Sequence, residues 1–227
     1  MKSKRFTSLL KTDRDPSPKS IKDILPTIKK NCTTKFDESI DLSLQINNKQ
    51  KKGEVNIRTI VNMPSGTGKK IKVAVLCDEN KLDEAKKSGA DLVGSDDLVQ
   101  KISSGEIKFD KLICTPSMMS KIGKLGKILG PKGLMPNPKL GTVSDNLKTS
   151  VEKIKNKLVE IKNDKDGNLG LSIGRKSFPK GKLKDNLKSV VDILKKDKPN
   201  IFNSENIKKV YISSTMGPSF KINFKDI

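Results

Sequence analysis

Lys121, Lys124, Lys127, Lys132 and Lys139 alternate with Gly123, Gly126, Gly130, Gly133 and Gly141, and no acidic residue interrupts them. Glycine lets a backbone come close to a ligand, and lysine attracts phosphate. The stretch suits the phosphates of a nucleotide cofactor, an RNA backbone, or simply a solvated basic loop. A dinucleotide fingerprint needs G-x-G-x-x-G directly after a first strand, and the spacing here differs. Pro116, Pro131, Pro136 and Pro138 exclude a long helix, so a rigid loop is expected. A second candidate, PSGTGKK at 64–70, fails the P-loop pattern twice. Met63 stands where glycine is needed and Lys70 where Ser or Thr is needed, so it reads as a linker turn. The chain has no histidine, which removes Ser-His-Asp and Cys-His chemistry and most zinc sites. Cys32, Cys77 and Cys114 are too widely spaced for a zinc knuckle and read as small buried hydrophobes. No metal or cofactor is expected.

A net charge of +21 on 227 residues points to a polyanionic partner. Of 47 basic residues only Arg5, Arg14, Arg58 and Arg175 are arginine, so part of the excess reflects a lysine-rich coding bias. The remainder favours nucleic acid over an acidic membrane, since no strongly amphipathic basic helix with bulky aromatics is evident. The longest apolar run falls far short of a membrane span, and the basic N-terminus lacks an apolar signal core. A soluble, cytoplasmic protein is expected.

These residues need elements to hold them, and two kinds of strand pattern occur. Residues 40–46, 169–173 and 220–224 alternate apolar with polar, as antiparallel strands with one exposed face do. Residues 73–77 and 112–114 are continuously apolar, as buried parallel strands are. Helices are predicted at 18–30, with Pro18 in the first turn, at 79–89, after Ser95, after Ser144, and at 182–196. The expected fold is α/β combined with α+β. Residues 1–66 and 159–227 form an α+β domain with an antiparallel sheet, interrupted by an inserted Rossmann-like three-layer α/β domain at 67–158. Ser65, Gly66, Gly68 and Leu158 mark the two crossings, a natural hinge. Most aromatics belong to the outer domain, and Phe36 stands apart from the core pattern among polar neighbours.

GKLGKILGPKGLMPNPKLGTV at 123–143 resembles the signature of the ribosomal protein L-one family, found in the mobile stalk of the large subunit. KFDESIDLSLQI (35–46), NIRTIVNMPSGTG (56–68), GADLVGSDDL (89–98), KNDKDG (162–167) and STMGPS (214–219) resemble it in the same order. The resemblance runs from about residue 20 to the end, and the first twenty residues match weakly. It implies a non-enzymatic protein that is a monomer when free, binds large-subunit ribosomal RNA, assists release of exit-site tRNA, and represses its own operon mRNA on the side. It implies RNA contact by Lys35, Phe36, Glu38 and Ser39 on one side, and by Ser213, Thr215, Met216 and Gly217 on the other, with Gly174 and Arg175 nearby. In this reading Glu38 accepts from a ribose 2′-OH, Lys35 and Arg175 serve phosphate, and Gly217 permits close approach. Lys124, Lys127 and Lys132 make secondary contacts. Gly170 and Ser65 stand where many members carry histidine, and Arg175 where lysine is usual. Two other classes compete: a nucleotide-dependent enzyme using the Rossmann-like half, and a basic protein held to RNA by charge alone.

Overall fold

A computed structural model describes residues 3–12, 17–46, 57–138, 141–156, 158–199, 201–202 and 206–224. Lys139 lies outside the described residues. The chain begins with helices α1 (Lys4–Thr12) and α2 (Ile21–Asn31) and strands β1 (Ser39–Ile46) and β2 (Arg58–Asn62). It continues through β3 (Val73–Leu76), α3 (Leu82–Lys87), β4 (Leu92–Gly94), α4 (Asp96–Ser103), β5 (Lys111–Cys114), α5 (Met119–Gly123), α6 (Gly126–Leu129) and α7 (Leu147–Asn156). It ends with β6 (Leu158–Lys162), β7 (Asn168–Arg175), α8 (Lys180–Asp197), β8 (Ile207–Ser214) and β9 (Ser219–Ile222). Two compact units result, Met1–Gly68 with Val159–Ile227, and Lys69–Leu158.

In the first unit an antiparallel sheet runs in the order β7-β1-β8-β9. Its period-two pattern decides its faces. Ile40, Leu42, Leu44 and Ile46 of β1 are buried, and they pack with Ile24, Leu25 and Ile28 of α2 and Leu183, Leu187, Val190 and Leu194 of α8. Burying one such side chain stabilises by about 1.5–3 kcal/mol. A separate pair, β2 with β6, adds Val61 and Ile161 to the same core. Pro18 lies ahead of α2 rather than in its first turn. The Ser20 carbonyl accepts from the Asp23 and Ile24 amides, so the helix starts behind Ser20, while Lys19 bridges to Ile222. Strand β9 stops at Ile222, although Phe224 still packs against the core.

The second unit holds a parallel sheet in the order β4-β3-β5. Both faces are covered, which is why the runs read as continuously apolar. Ala74, Leu76, Leu112 and Cys114 face a cluster with Leu98, Ile102, Ile122 and Leu129. Val73, Val75 and Ile113 face the other cluster, with Ala85, Leu147, Val151 and Ile154. This makes three layers, helices on either side of the sheet. All three cysteines are buried thiols, and burial pushes Cys114 up to about 12.

The glycine-lysine stretch departs from the loop expectation in its first half. Ile122, Leu125 and Leu129 are spaced by three and four and are buried, so residues 119–129 form α5 and α6 despite their glycines. The helical part ends at Gly130, just before Pro131. Lys124, Lys127 and Lys132 are exposed on this segment, whereas Lys121 bonds both Asp96 carboxylate oxygens at 2.6 and 2.8 Å.

Candidate RNA interface

Strand register gathers the predicted contact residues of the first unit at one end of its sheet. Ser39 opens β1 opposite Arg175 of β7, and the next residue, Ile40, pairs with Ser214 of β8. The segments 35–39, 174–175 and 213–217 therefore meet there.

Thr215 is clamped to Ser39. Its amide donates to the Ser39 carbonyl at 3.0 Å, its Oγ1 accepts from the Ser39 amide at 3.0 Å, and the two hydroxyls are 2.9 Å apart. A hydroxyl pair of this kind both donates and accepts. Beside it, Phe36 and Met216 are 52% and 50% exposed, the most exposed large apolar side chains among the described residues. Lys35 is also exposed. Phe36, Lys35 and Met216 thus lie exposed in the same segments as the clamped hydroxyl pair.

Glu38 behaves differently from the expected contact. Its side chain is fully buried. Oε1 accepts from the Thr34 hydroxyl at 2.7 Å and Oε2 from the Met216 amide at 3.1 Å. Burial pushes its carboxyl up, but the hydrogen bonds from Thr34 and Met216 and the nearby Ser214 hydroxyl outweigh burial and hold it below the usual carboxylate range. The Ser214 hydroxyl also lowers it from nearby, but that buried hydroxyl forms no hydrogen bond of proper geometry among the described residues. Glu38 therefore shapes the loop from beneath and is not placed to accept from a ribose.

A side chain at Gly217 would meet one close atom, the Ser214 hydroxyl. A Cβ there would be 2.3 Å from Ser214 Oγ but an ordinary 3.6 Å from Ser214 Cβ. Gly217→Ala is expected to destabilise the chain by about 1 kcal/mol, the scale of a displaced Ser214 rotamer. Ser214→Ala in the same chain removes the clashing oxygen and is expected to recover most of that loss. Thermal unfolding of the single and double variants checks this. A neutral Gly217→Ala would show that the loop yields freely.

On the other flank a bulge aims Arg175. Register steps from Ile40 opposite Gly174 to Asp41 opposite Ser172, leaving Ile173 as the extra residue. The Arg175 Nη1 donates to the Asp37 carbonyl at 2.9 Å, and Asp37 accepts from the Ser177 amide and hydroxyl at 3.0 and 2.8 Å. The freed Ile173 carbonyl is taken by Asn186 Nδ2 at 2.8 Å. Asn186 also accepts from the Ser65 amide at 3.0 Å and donates to the Gly66 carbonyl at 2.9 Å. Gly68, with φ of +72°, passes so close that a Cβ would lie 2.8 Å from Arg175 Cγ. Leu158 starts β6 and packs on the cluster of the second unit. Gly170 is exposed beside an open cavity of about 400 Å³ lined by Ser43, Lys162, Asn163, Asp164, Asn168 and Leu169.

Arg5, Thr34, Asp37 and Asn186 escaped sequence reasoning as members of this site. Asp37 lies within a motif already singled out, but Arg5 and Asn186 act across long sequence separations that no local pattern signals.

The model of the Ribosomal protein L1p/L10e family matches residues 28–218. The chain is 58% identical over 223 residues to the "Large ribosomal subunit protein uL1" of Pelagibacter ubique, covering 98% of this chain and 97% of that protein. It is 43% identical over 222 residues to the protein of the same name from Thermosipho melanesiensis, covering 97% and 96%. The protein of the same name from Kosmotoga olearia is 42% identical over 226 residues, covering 100% and 98%. The chain belongs to the Ribosomal protein L1p/L10e family.

Proposed function

We propose that this chain is a structural, non-enzymatic constituent of the large ribosomal subunit in the cytoplasm. It binds large-subunit ribosomal RNA through the sheet end of its outer α+β domain, residues 1–66 and 159–227, and carries residues 67–158 as an inserted domain. Bound there, it forms the mobile stalk, assists release of deacylated exit-site tRNA, and represses translation of its own mRNA. The observation that carries the reading is the clamped Ser39–Thr215 hydroxyl pair flanked by exposed Phe36 and Met216. The hydroxyls suit ribose 2′-OH groups, the apolar side chains suit unstacked bases or sugar faces, and Lys35 and Arg175 suit phosphates. Gly217 and Ser213 complete the surface, while Gly174 shapes the strand end. Ser65, Gly66, Gly68 and Leu158 serve as the hinge between the two domains.

The lysines of α5, α6 and the following loop add secondary, non-specific attraction. Thr215→Val combined with Met216→Ala is expected to weaken binding to a stalk RNA about tenfold or more, the scale of a lost hydrogen bond plus a lost apolar contact. Lys124→Ala, Lys127→Ala and Lys132→Ala together are expected to weaken it less. Titration of the RNA with both variants at one salt concentration compares them, and the reverse ranking sinks this assignment.

A further inference from the structure

We propose that Arg5 is a positioning residue for this RNA-binding surface, through which the N-terminal helix holds the Thr215–Gly217 loop in its binding shape. The inference rests on the reading of that surface given above. The Arg5 guanidinium joins three chain segments. Nε donates to Thr33 Oγ1 at 2.7 Å, Nη2 to the Asn31 carbonyl at 3.4 Å, and Nη1 to the Met216 carbonyl at 3.0 Å. Its Nη2 lies 3.6 Å from the buried Glu38 carboxylate, close enough for charge attraction but not for a hydrogen bond. Met216 therefore has both of its main-chain polar groups tied: its amide to Glu38 and its carbonyl to Arg5. Only its side chain is left to face outward, which is what an exposed contact residue needs.

The residue type supports the role. This chain uses lysine for almost every positive charge, with arginine at four positions among 47 basic residues. The three described arginines each make a directed contact: Arg58 with Glu160 at 2.7 Å, Arg175 with the Asp37 carbonyl, and Arg5 with the partners above. A planar fork reaches several acceptors at fixed angles, which a lysine ammonium on a flexible stem does not. Helix α1 lies outside the residues that the family model matches, 28–218, yet it supplies this strut.

The test compares the full chain with Arg5→Ala and Arg5→Lys. Affinity for a stalk RNA fragment is measured from about 50 to about 200 mM salt, and exchange of the Met216 amide is measured without RNA. A positioning role predicts that Arg5→Ala loses about tenfold in affinity at every salt concentration, with the salt slope unchanged. It predicts that Arg5→Lys recovers little, although it keeps the charge. It predicts that the Met216 amide exchanges about tenfold faster in both variants, and that adding Thr215→Val to Arg5→Ala costs less than the two single effects combined. A salt slope reduced by about one would make Arg5 a direct phosphate contact and overturn the proposal. So would wild-type affinity in Arg5→Lys, or unchanged Met216 exchange. If the wild-type chain itself fails to bind the RNA, the proposed function falls, and the exchange measurement still decides the role of Arg5.

Discussion

Glu38→Ala is expected to destabilise the chain by about 3 kcal/mol, measured by urea unfolding. The carboxylate is buried and serves the Thr34 hydroxyl and the Met216 amide, with Arg5 nearby. Removing it leaves those two donors without their acceptor and Arg5 without its nearby counter-charge, and hydrogen bonds to a charged group are worth about 1.5–3 kcal/mol each. The pH dependence carries the same signature. Glu38 has a folded-state pKa below its ordinary 4.5, so the native state binds fewer protons than the unfolded state in the interval between the two values. Its contribution is fully present above about 4.5 and is lost as pH falls through the lower, folded value. Glu38→Gln cannot titrate, so the difference in stability between wild type and Glu38→Gln should shrink on acidification. Asp91 and Asp164, also held below the usual carboxylate range, keep an acid limb in both proteins. A difference that stays constant down to low pH would show that the Glu38 charge contributes nothing.

Asn186→Leu is expected to cost about 3 kcal/mol as well. The side chain is fully buried within α8, and it satisfies the Ser65 amide, the Gly66 carbonyl and the Ile173 carbonyl. Leucine has the same branched shape, though bulkier, and leaves three main-chain groups without their partner, each worth about 1–3 kcal/mol when stranded in the interior. Asn186→Asp sharpens the test. It keeps an acceptor for the Ser65 amide but turns a negative charge toward two carbonyl oxygens, so it should destabilise more than leucine does. If urea unfolding shows Asn186→Leu within about 0.5 kcal/mol of wild type, the polar clamp is structurally idle.

Most of the fold was legible because its signals are local. The alternation of Ile40, Leu42, Leu44 and Ile46 fixes a one-sided sheet, and the unbroken Val73–Cys77 run fixes a two-sided one. Helix α8 was legible from its apolar spacing, within two residues at its start and one at its end. The glycine-lysine segment was misread in its first half because glycine and proline content outweighed the spacing of Ile122, Leu125 and Leu129. Strand β4 is three half-exposed residues, one of them a glycine, too short and too mixed to show a period. Helix α1 sits in the part of the chain where motif likeness was weakest.

The candidate site was legible as a set of segments, since 35–39, 174–175 and 213–217 do converge. Its internal division of labour was not. Glu38 looks like a surface carboxylate in the polar stretch Lys35–Ser39, and only the folded chain shows it buried under the Met216 amide. Phe36 is the opposite case. An aromatic among polar neighbours ahead of a strand reads as exposed, and it is. Burial of a polar residue depends on what packs over it, here Thr34, Arg5 and the 214–217 turn, and all of that covering but Thr34 comes from distant sequence.

The measurement that bears most directly on the central claim is binding of the full chain to a stalk fragment of large-subunit RNA, beside a scrambled RNA of equal length, across a salt series. A specific reader is predicted to bind the stalk fragment at nanomolar level at physiological salt, and its preference over the scrambled RNA should persist as salt rises and the shared electrostatic part falls away. Equal affinity for both RNAs, collapsing together with salt, would contradict it and leave a basic protein held to RNA by charge alone.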